Sequence, residues 1–347
     1  MAAGGDPRST GLGGGRRFSQ GVLEAGRDHK QRRPQSVNKQ RGEVIVVKGH
    51  KYTLEELLAK GNAEIWAVFD EMQSQRVLKI CREDSVQEEV AARQALGWDY
   101  HGLTVLKALD YEGPCLILER AERSLRQRID ASSTDRATVP LYLKAVCTAL
   151  VHVHRARLVH MDIKPANIFQ VLDVRTGDPI WKLGDFDTCR RVGEPVGGFT
   201  SHYAAPELAA AELDGIPIAA DAKMDIFSAG LSVLECATGR PLMAKGTTKE
   251  EALTLLSSHH GGRPDEHATN VLEATLSDAM APLDPALRSA LNNMLEVNSR
   301  RRKDASAILH TGLLSGQVTA PLTAACSSYA LPYDCRLIAV CSSSNSI

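Results

Sequence analysis

The chain has 347 residues, of which 43% are hydrophobic and 24% charged, and a formal net charge of −1 at pH 7. That balance fits a globular protein of one large domain or two lobes plus tails, and it argues against a whole-protein electrostatic footprint for nucleic acid or membrane. Eight cysteines, at 81, 115, 147, 189, 236, 326, 335 and 341, include no CxxC pair. This is neither a zinc pattern nor a disulfide framework, and it suits a reducing intracellular setting, cytoplasmic or nuclear.

Residues 1 to about 42 hold nine Lys or Arg against three acids, are rich in Gly, and show no apolar period. They read as a disordered basic tail, in which Lys30, Arg32 and Arg33 leave a nuclear address open. The opening MAAGGDPRST lacks the apolar core of a secretory signal, and no apolar run approaches the roughly 18 residues of a membrane span. The glycine run at 11–15 follows no strand, so it is not a phosphate-cradling loop.

Order begins at Glu43. Val44–Val47 is β-branched, and Tyr52–Leu54 continues the extended pattern. Leu57–Gly61, Ala63–Val68 and Arg76–Ile80 then read as three antiparallel strands, followed by a helix over Ser85–Leu96 and a short buried strand at Cys115–Arg120. From Leu125 the chain turns helical. Leu141–Arg155 spaces Leu143, Val146, Cys147, Leu150 and Val153 as one helix face, and predicts the central helix of a larger lobe. His152 and His154 lie two apart, so they do not share a face, and His154 reads as a packed residue. Asn167–Lys182 predicts a hairpin around Thr176-Gly177-Asp178, and the stretch from Leu314 to SSSNSI reads as mostly unstructured.

The chemistry concentrates in Leu158–Asn167, LVHMDIKPAN. Asp162 can accept a proton from an attacking hydroxyl, Lys164 can neutralise a moving phosphoryl group, and Asn167 offers a neutral oxygen to Mg²⁺. WKLGDFD follows and adds a second carboxylate, Asp185. A site of this kind works by positioning and charge neutralisation.

These two motifs resemble the HRDLKxxN loop and DFG motif of the eukaryotic protein kinase family, and the resemblance covers about residues 43–313. It implies an α+β, bilobal, protein kinase-like fold. The small antiparallel β N-lobe with one helix spans about 43–121, and the larger, mainly α C-lobe about 122–313. ATP and Mg²⁺ lie between them. It further implies a monomeric domain that transfers the γ-phosphoryl group of ATP to Ser/Thr hydroxyls of a protein substrate.

Residue by residue, the resemblance gives Asp162 the role of base, Lys164 and Thr200 its bonded partners, and Asn167 and Asp185 the metal. Lys79 takes the ATP phosphates and Glu89 orients it, with Glu88 as the alternative. Gly61 and Ile65 cover the nucleotide, Leu118 is the gatekeeper, and Glu119 to Ala121 offer backbone groups to adenine. Asp225, in DIFSAG, braces the catalytic loop, and Arg302 pairs with Glu207 of the APE triplet.

Three departures stand out. Leu58, Lys60 and Ala63 occupy positions where the family's nucleotide loop has glycines. Met161 replaces the Arg that clamps an activation-segment phosphate, so activity independent of phosphorylation at Thr188, Thr200, Ser201 or Tyr203 is expected. Asp187 replaces the DFG glycine, where Asp tolerates positive φ. Its carboxylate either adjusts Mg²⁺ binding or faces solvent, the latter being favoured. A pseudokinase scaffold, a dual-specificity kinase like the Wee/Myt group, and a small-molecule phosphotransferase are the rival readings. The entry into the first strands looks instead like the Mps-type checkpoint kinases.

Overall fold

The structure, a computed structural model, describes residues 39–97, 103–131, 138–173, 176–257, 259–260 and 263–315. Most of the basic tail and of the C-terminal tail expected from the sequence lies outside the described residues.

Val44–Val47 (β1), His50–Lys60 (β2), Glu64–Phe69 (β3), Gln75–Ile80 (β4), Ala108–Glu112 (β5) and Cys115–Glu119 (β6) form one sheet in the order β1-β2-β3-β4-β6-β5. Every pairing in it is antiparallel. The extended segments expected at 52–54 and 57–61 are a single strand. Its register shifts between Leu54 and Glu56 and again between Leu57 and Ala59. Those two irregularities interrupt the period-two pattern and hid its continuity.

Alternation along β4 sends Leu78 and Ile80 to one side of the sheet, where they pack with Leu54, Trp66, Val68 and Ile117. The other side carries Val77 and Lys79 toward Leu116, Leu118 and the helix Glu83–Ala95 (α1). That helix starts two residues before the expected Ser85, with Glu83 and Asp84 at its positive end. It buries Val86, Glu89, Val90 and Arg93, a stripe at i, i+3, i+4, i+7. Two of those four residues are charged.

The larger lobe begins with Arg123–Ser124 (β7) and Leu125–Asp130 (α2), whose start is a capping box between Ser124 and Gln127. The central helix Val139–Arg155 (α3) begins before the expected Leu141, because Pro140 is suited to a first helical turn. Leu158–Val159 (β8) leads through a tight turn at Pro165–Asn167 into the hairpin of Ile168–Leu172 (β9) and Pro179–Leu183 (β10). Arg190–Arg191 (β11) pairs with β8.

Beyond lie Pro206–Asp214 (α4), Ala222–Thr238 (α5), Lys249–Leu256 (α6), His259–His260 (β12), Arg263–Pro264 (β13), Glu266–Met280 (α7), Pro285–Met294 (α8), Ala305–Leu309 (α9) and Gly312–Ser315 (α10). Helices α3 and α5 supply much of the main core, and Leu314 is wholly buried in it. The fold is therefore α+β and bilobal: an antiparallel sheet with one helix, then a mainly helical lobe. Among the described residues no helix is long and apolar enough to cross a membrane.

Candidate active site

Burial on the helix side of β4 puts the Lys79 ammonium among carboxylates. Its Nζ lies 2.9 Å from Glu89 Oε2, donates to Asp185, and stands 3.6 Å from Asp187 Oδ2. Burial alone lowers a lysine pKa, yet the three carboxylates raise it, so Lys79 stays charged. Glu89 is 1% exposed. Burial acts to raise its carboxyl pKa, but Arg93 and Lys79 prevail and hold it down at about 2. Arg93, which also bonds the Leu106 carbonyl, escaped the sequence reading. Its signal was the i, i+4 spacing from Glu89. Glu88 faces outward, 58% exposed and 3.7 Å from Arg190.

A second cluster gathers on Asp162. Thr200 donates its hydroxyl to Oδ1 at 2.6 Å, Asn167 Nδ2 donates to Oδ2 at 3.0 Å, and Lys164 Nζ lies 2.7 Å from Oδ2. Lys164 also donates to Thr200 Oγ1 at 3.0 Å. Burial works to raise the Asp162 pKa, but Lys164 and Thr200 lower it below the ordinary value. The two clusters are tied by backbone: Gly184 N–H donates to the Asn167 carbonyl at 2.9 Å.

The loop bearing Asp162 is held from beneath by Asp225, 1% exposed in the first turn of α5. Asp225 accepts from the His160 and Met161 N–H groups at 2.8 and 2.9 Å, and meets His154 Nε2 at 2.9 Å. His160 donates from Nε2 to Gly184 O at 3.0 Å while its Nδ1 accepts from the Asp162 N–H at 3.3 Å. Met161 has φ +68° and Asp185 has φ +63°, two side-chain-bearing residues in the left-handed region. Asp187 is not among the positive-φ residues. The strain expected at the glycine-replaced position sits two residues earlier, on Asp185.

The nucleotide-facing candidates are less tightly bound into these clusters. Gly61 is exposed, and its N–H closes the β2–β3 turn onto Ala63 O at 3.0 Å. Ile65 stands opposite Lys79 in the sheet, and Leu118 is buried opposite Val77. Glu119 N–H donates to Lys107 O at 3.0 Å, and its carboxylate takes Lys182 Nζ at 2.8 and 2.9 Å, an interlobe ion pair invisible in sequence. Ala121 follows β6, half-buried.

The donor set suits a hard cation. Asp185 offers a carboxylate, and Asn167, with Nδ2 committed to Asp162, offers its amide oxygen. Among the described residues no three His, Cys, Asp or Glu side chains make a metal cage by themselves. Mg²⁺ ordinarily uses one or two carboxylates together with phosphates.

The chain matches the Protein kinase domain family over residues 54–314, about three quarters of its length, and belongs to that family. It is 29% identical over 179 residues to eukaryotic translation initiation factor 2-alpha kinase 1 of Plasmodium falciparum (isolate 3D7), covering 50% of this chain and 11% of that protein. It is 38% identical over 108 residues to the MAPK/MAK/MRK overlapping kinase of Mus musculus, covering 30% and 23%. It is also 27% identical over 164 residues to the mouse inactive serine/threonine-protein kinase PLK5, covering 46% and 25%. The chain thus spans a quarter or less of the length of these curated relatives.

Proposed function

We propose that this chain is an active protein kinase that transfers the γ-phosphoryl group of Mg²⁺-bound ATP to Ser or Thr hydroxyls of a protein substrate. The observation that carries this reading is the bonded set around Asp162, in which Thr200, Lys164 and Asn167 all converge on one buried carboxylate. The bond between the γ-phosphorus and its bridging oxygen breaks, ADP leaves, and the substrate oxygen takes the phosphoryl group.

Asp162, kept anionic by its neighbours, accepts the hydroxyl proton. It need not be a strong base, because phosphoryl transfer asks mainly for alignment and charge neutralisation. Lys164 supplies positive charge at the transferred group, and Lys79, oriented by Glu89, takes the nucleotide phosphates. Asp185 and Asn167 would hold Mg²⁺, which when bound neutralises phosphate charge. Leu118 and the backbone from Glu119 to Ala121 are assigned to the adenine side, with Gly61 and Ile65 above it.

A second reading, a scaffold that binds nucleotide poorly, draws support from Leu58 and Lys60 at the end of β2, followed by a turn in which the Gly61 N–H is engaged with Ala63 O. One relative is likewise described as inactive. Mg²⁺-dependent transfer from labelled ATP to the protein and to a basic test substrate separates the two. Wild type is compared with Lys79→Met and Asp162→Asn. Transfer lost in both variants, with phosphoserine or phosphothreonine as product, is the expected result. No transfer, and no rise in melting temperature with ATP and Mg²⁺, would establish the scaffold. Phosphotyrosine would shift the reading to a dual-specificity kinase.

A further inference from the structure

Glycine has no ligand to offer, and its replacement here puts a carboxylate two residues from Asp185. Asp187 does not turn simply to solvent. Its Oδ2 stands 3.6 Å from the same Lys79 ammonium that Asp185 contacts, so the two carboxylates face one point. Their side chains are similarly half-exposed, 34% and 35%, so both remain within reach of an ion entering from the cleft.

The local charges do not balance. Lys79 and Arg93 face Glu89, Asp185 and Asp187, while Lys164 is engaged by Asp162. The cluster of two cations and three carboxylates carries one net negative charge. Independent of these acids, Asn167 is 4% exposed, is tied by its backbone carbonyl to the Gly184 N–H that precedes Asp185, and commits its Nδ2 to Asp162. Its amide oxygen accepts no hydrogen bond from the described residues. An amide oxygen together with two carboxylates that converge on Lys79 is a donor set for a hard divalent cation. The backbone places no demand for glycine at 187, since the positive φ belongs to Asp185.

We propose that Asp187 is a third oxygen ligand of the divalent cation, beside Asp185 and Asn167, and that it lets the protein bind that cation without nucleotide. The inference rests on the metal role proposed above for Asp185 and Asn167. Its consequence is a change in binding order. A site of one carboxylate and one amide needs nucleotide phosphates to complete it, whereas two carboxylates and an amide hold the ion first.

The test is a Mn²⁺ titration of the full chain without nucleotide, followed by loss of the free-ion electron paramagnetic resonance signal. Wild type, Asp187→Asn, Asp187→Gly and Asp185→Asn are compared, each with its thermal melt. The expected result is one bound Mn²⁺ in wild type and affinity at least about tenfold weaker in every folded variant. Asp187→Gly restores the family's own residue and carries the test should Asp187→Asn melt early. Equal Mn²⁺ affinity in wild type and the Asp187 variants overturns the inference, as does wild type that binds none without nucleotide. The outcome is separable from the kinase reading, because no transfer is measured. Mn²⁺ binding through Asp187 in a chain that transfers nothing sinks the activity alone, and transfer with Mn²⁺ binding indifferent to Asp187 sinks this inference alone.

Discussion

Arg302 and Glu207, 95 residues apart, form a two-pronged ion pair, with Nη1 2.8 Å from Oε1 and Nη2 3.0 Å from Oε2. Arg302 is 1% exposed and also donates to the carbonyls of Glu296, Lys223 and Val297. Each partner alone is a poorly solvated charge. Removing Arg302 strands the carboxylate and three carbonyls, so Arg302→Met is expected to cost about 3–5 kcal/mol of stability in urea unfolding. Arg302→Met combined with Glu207→Gln should cost less than the two losses added, because each removes the same interaction. Strict additivity would show that the pair contributes nothing as a pair.

Glu88 and Glu89 are neighbours with opposite fates. Glu89→Ala leaves Lys79 and Arg93 buried without their shared carboxylate, and is expected to destabilise the fold by about 3–5 kcal/mol. Glu88→Ala, at an exposed site, should stay within about 0.5 kcal/mol of wild type. The Glu89 effect has a defined pH sign. Burial favours the neutral carboxyl, but Arg93 and Lys79 dominate and depress its pKa from 4.5 to about 2. Its stabilisation is therefore complete above the unfolded value and fades as pH falls toward the folded one. The stability gap between wild type and Glu89→Gln should narrow on acidification through that window. A gap that widens would mean the carboxyl is not held down.

Much of this was legible because short motifs, LVHMDIKPAN and WKLGDFD, carry the family resemblance at fixed spacing. The family resemblance pointed to Glu89 over Glu88 and to Thr200 beside Asp162 and Lys164, and these side chains do meet in the structure. Arg93 was not legible in this way. A charged residue in the buried stripe of α1 looks like a solvent-facing one when only apolar periodicity is read. Asp187, for which solvent was the favoured of two expectations, is half-exposed and also stands 3.6 Å from Lys79, a contact set by the turn at Asp185, whose positive φ no residue type announces. The Glu119–Lys182 pair joins strands 63 residues apart, and no local pattern signals such a partnership.

Met161 bears on regulation. It is 5% exposed within the main core and offers no charge to an activation-segment phosphate. The hydroxyls of that segment are already engaged: Thr188 donates to His160 O, Thr200 to Asp162, and Tyr203 to Glu235, which Arg126 also grips. The segment is thus held by its own side chains. Phosphatase treatment of active protein is expected to leave the transfer rate unchanged, as are Thr188→Ala and Ser201→Ala. A treated enzyme that falls silent, and recovers on rephosphorylation, would refute that account.

Gly230 sits mid-helix in α5, where its lack of a side chain lowers helix propensity by about 0.5–1 kcal/mol relative to alanine. Alanine nonetheless should not be an improvement. An added Cβ would meet Leu295 Cδ2 at 2.8 Å, Leu295 Cγ at 2.9 Å and Met294 Cβ at 3.0 Å. Leu295 and Met294 are both buried, so neither has free space to retreat into. Overpacking of this kind costs about 1–3 kcal/mol, which outweighs the propensity gain. Gly230→Ala is therefore expected to lower stability by about 1–2 kcal/mol in urea unfolding. Leu295→Ala alone should cost about 2–5 kcal/mol through its cavity, but the added methyl partly fills that cavity in the double variant. The double variant should thus lose clearly less than the two single losses combined. Additive losses, or a stabilised Gly230→Ala, would mean that α5 does not press against the end of α8 at this position.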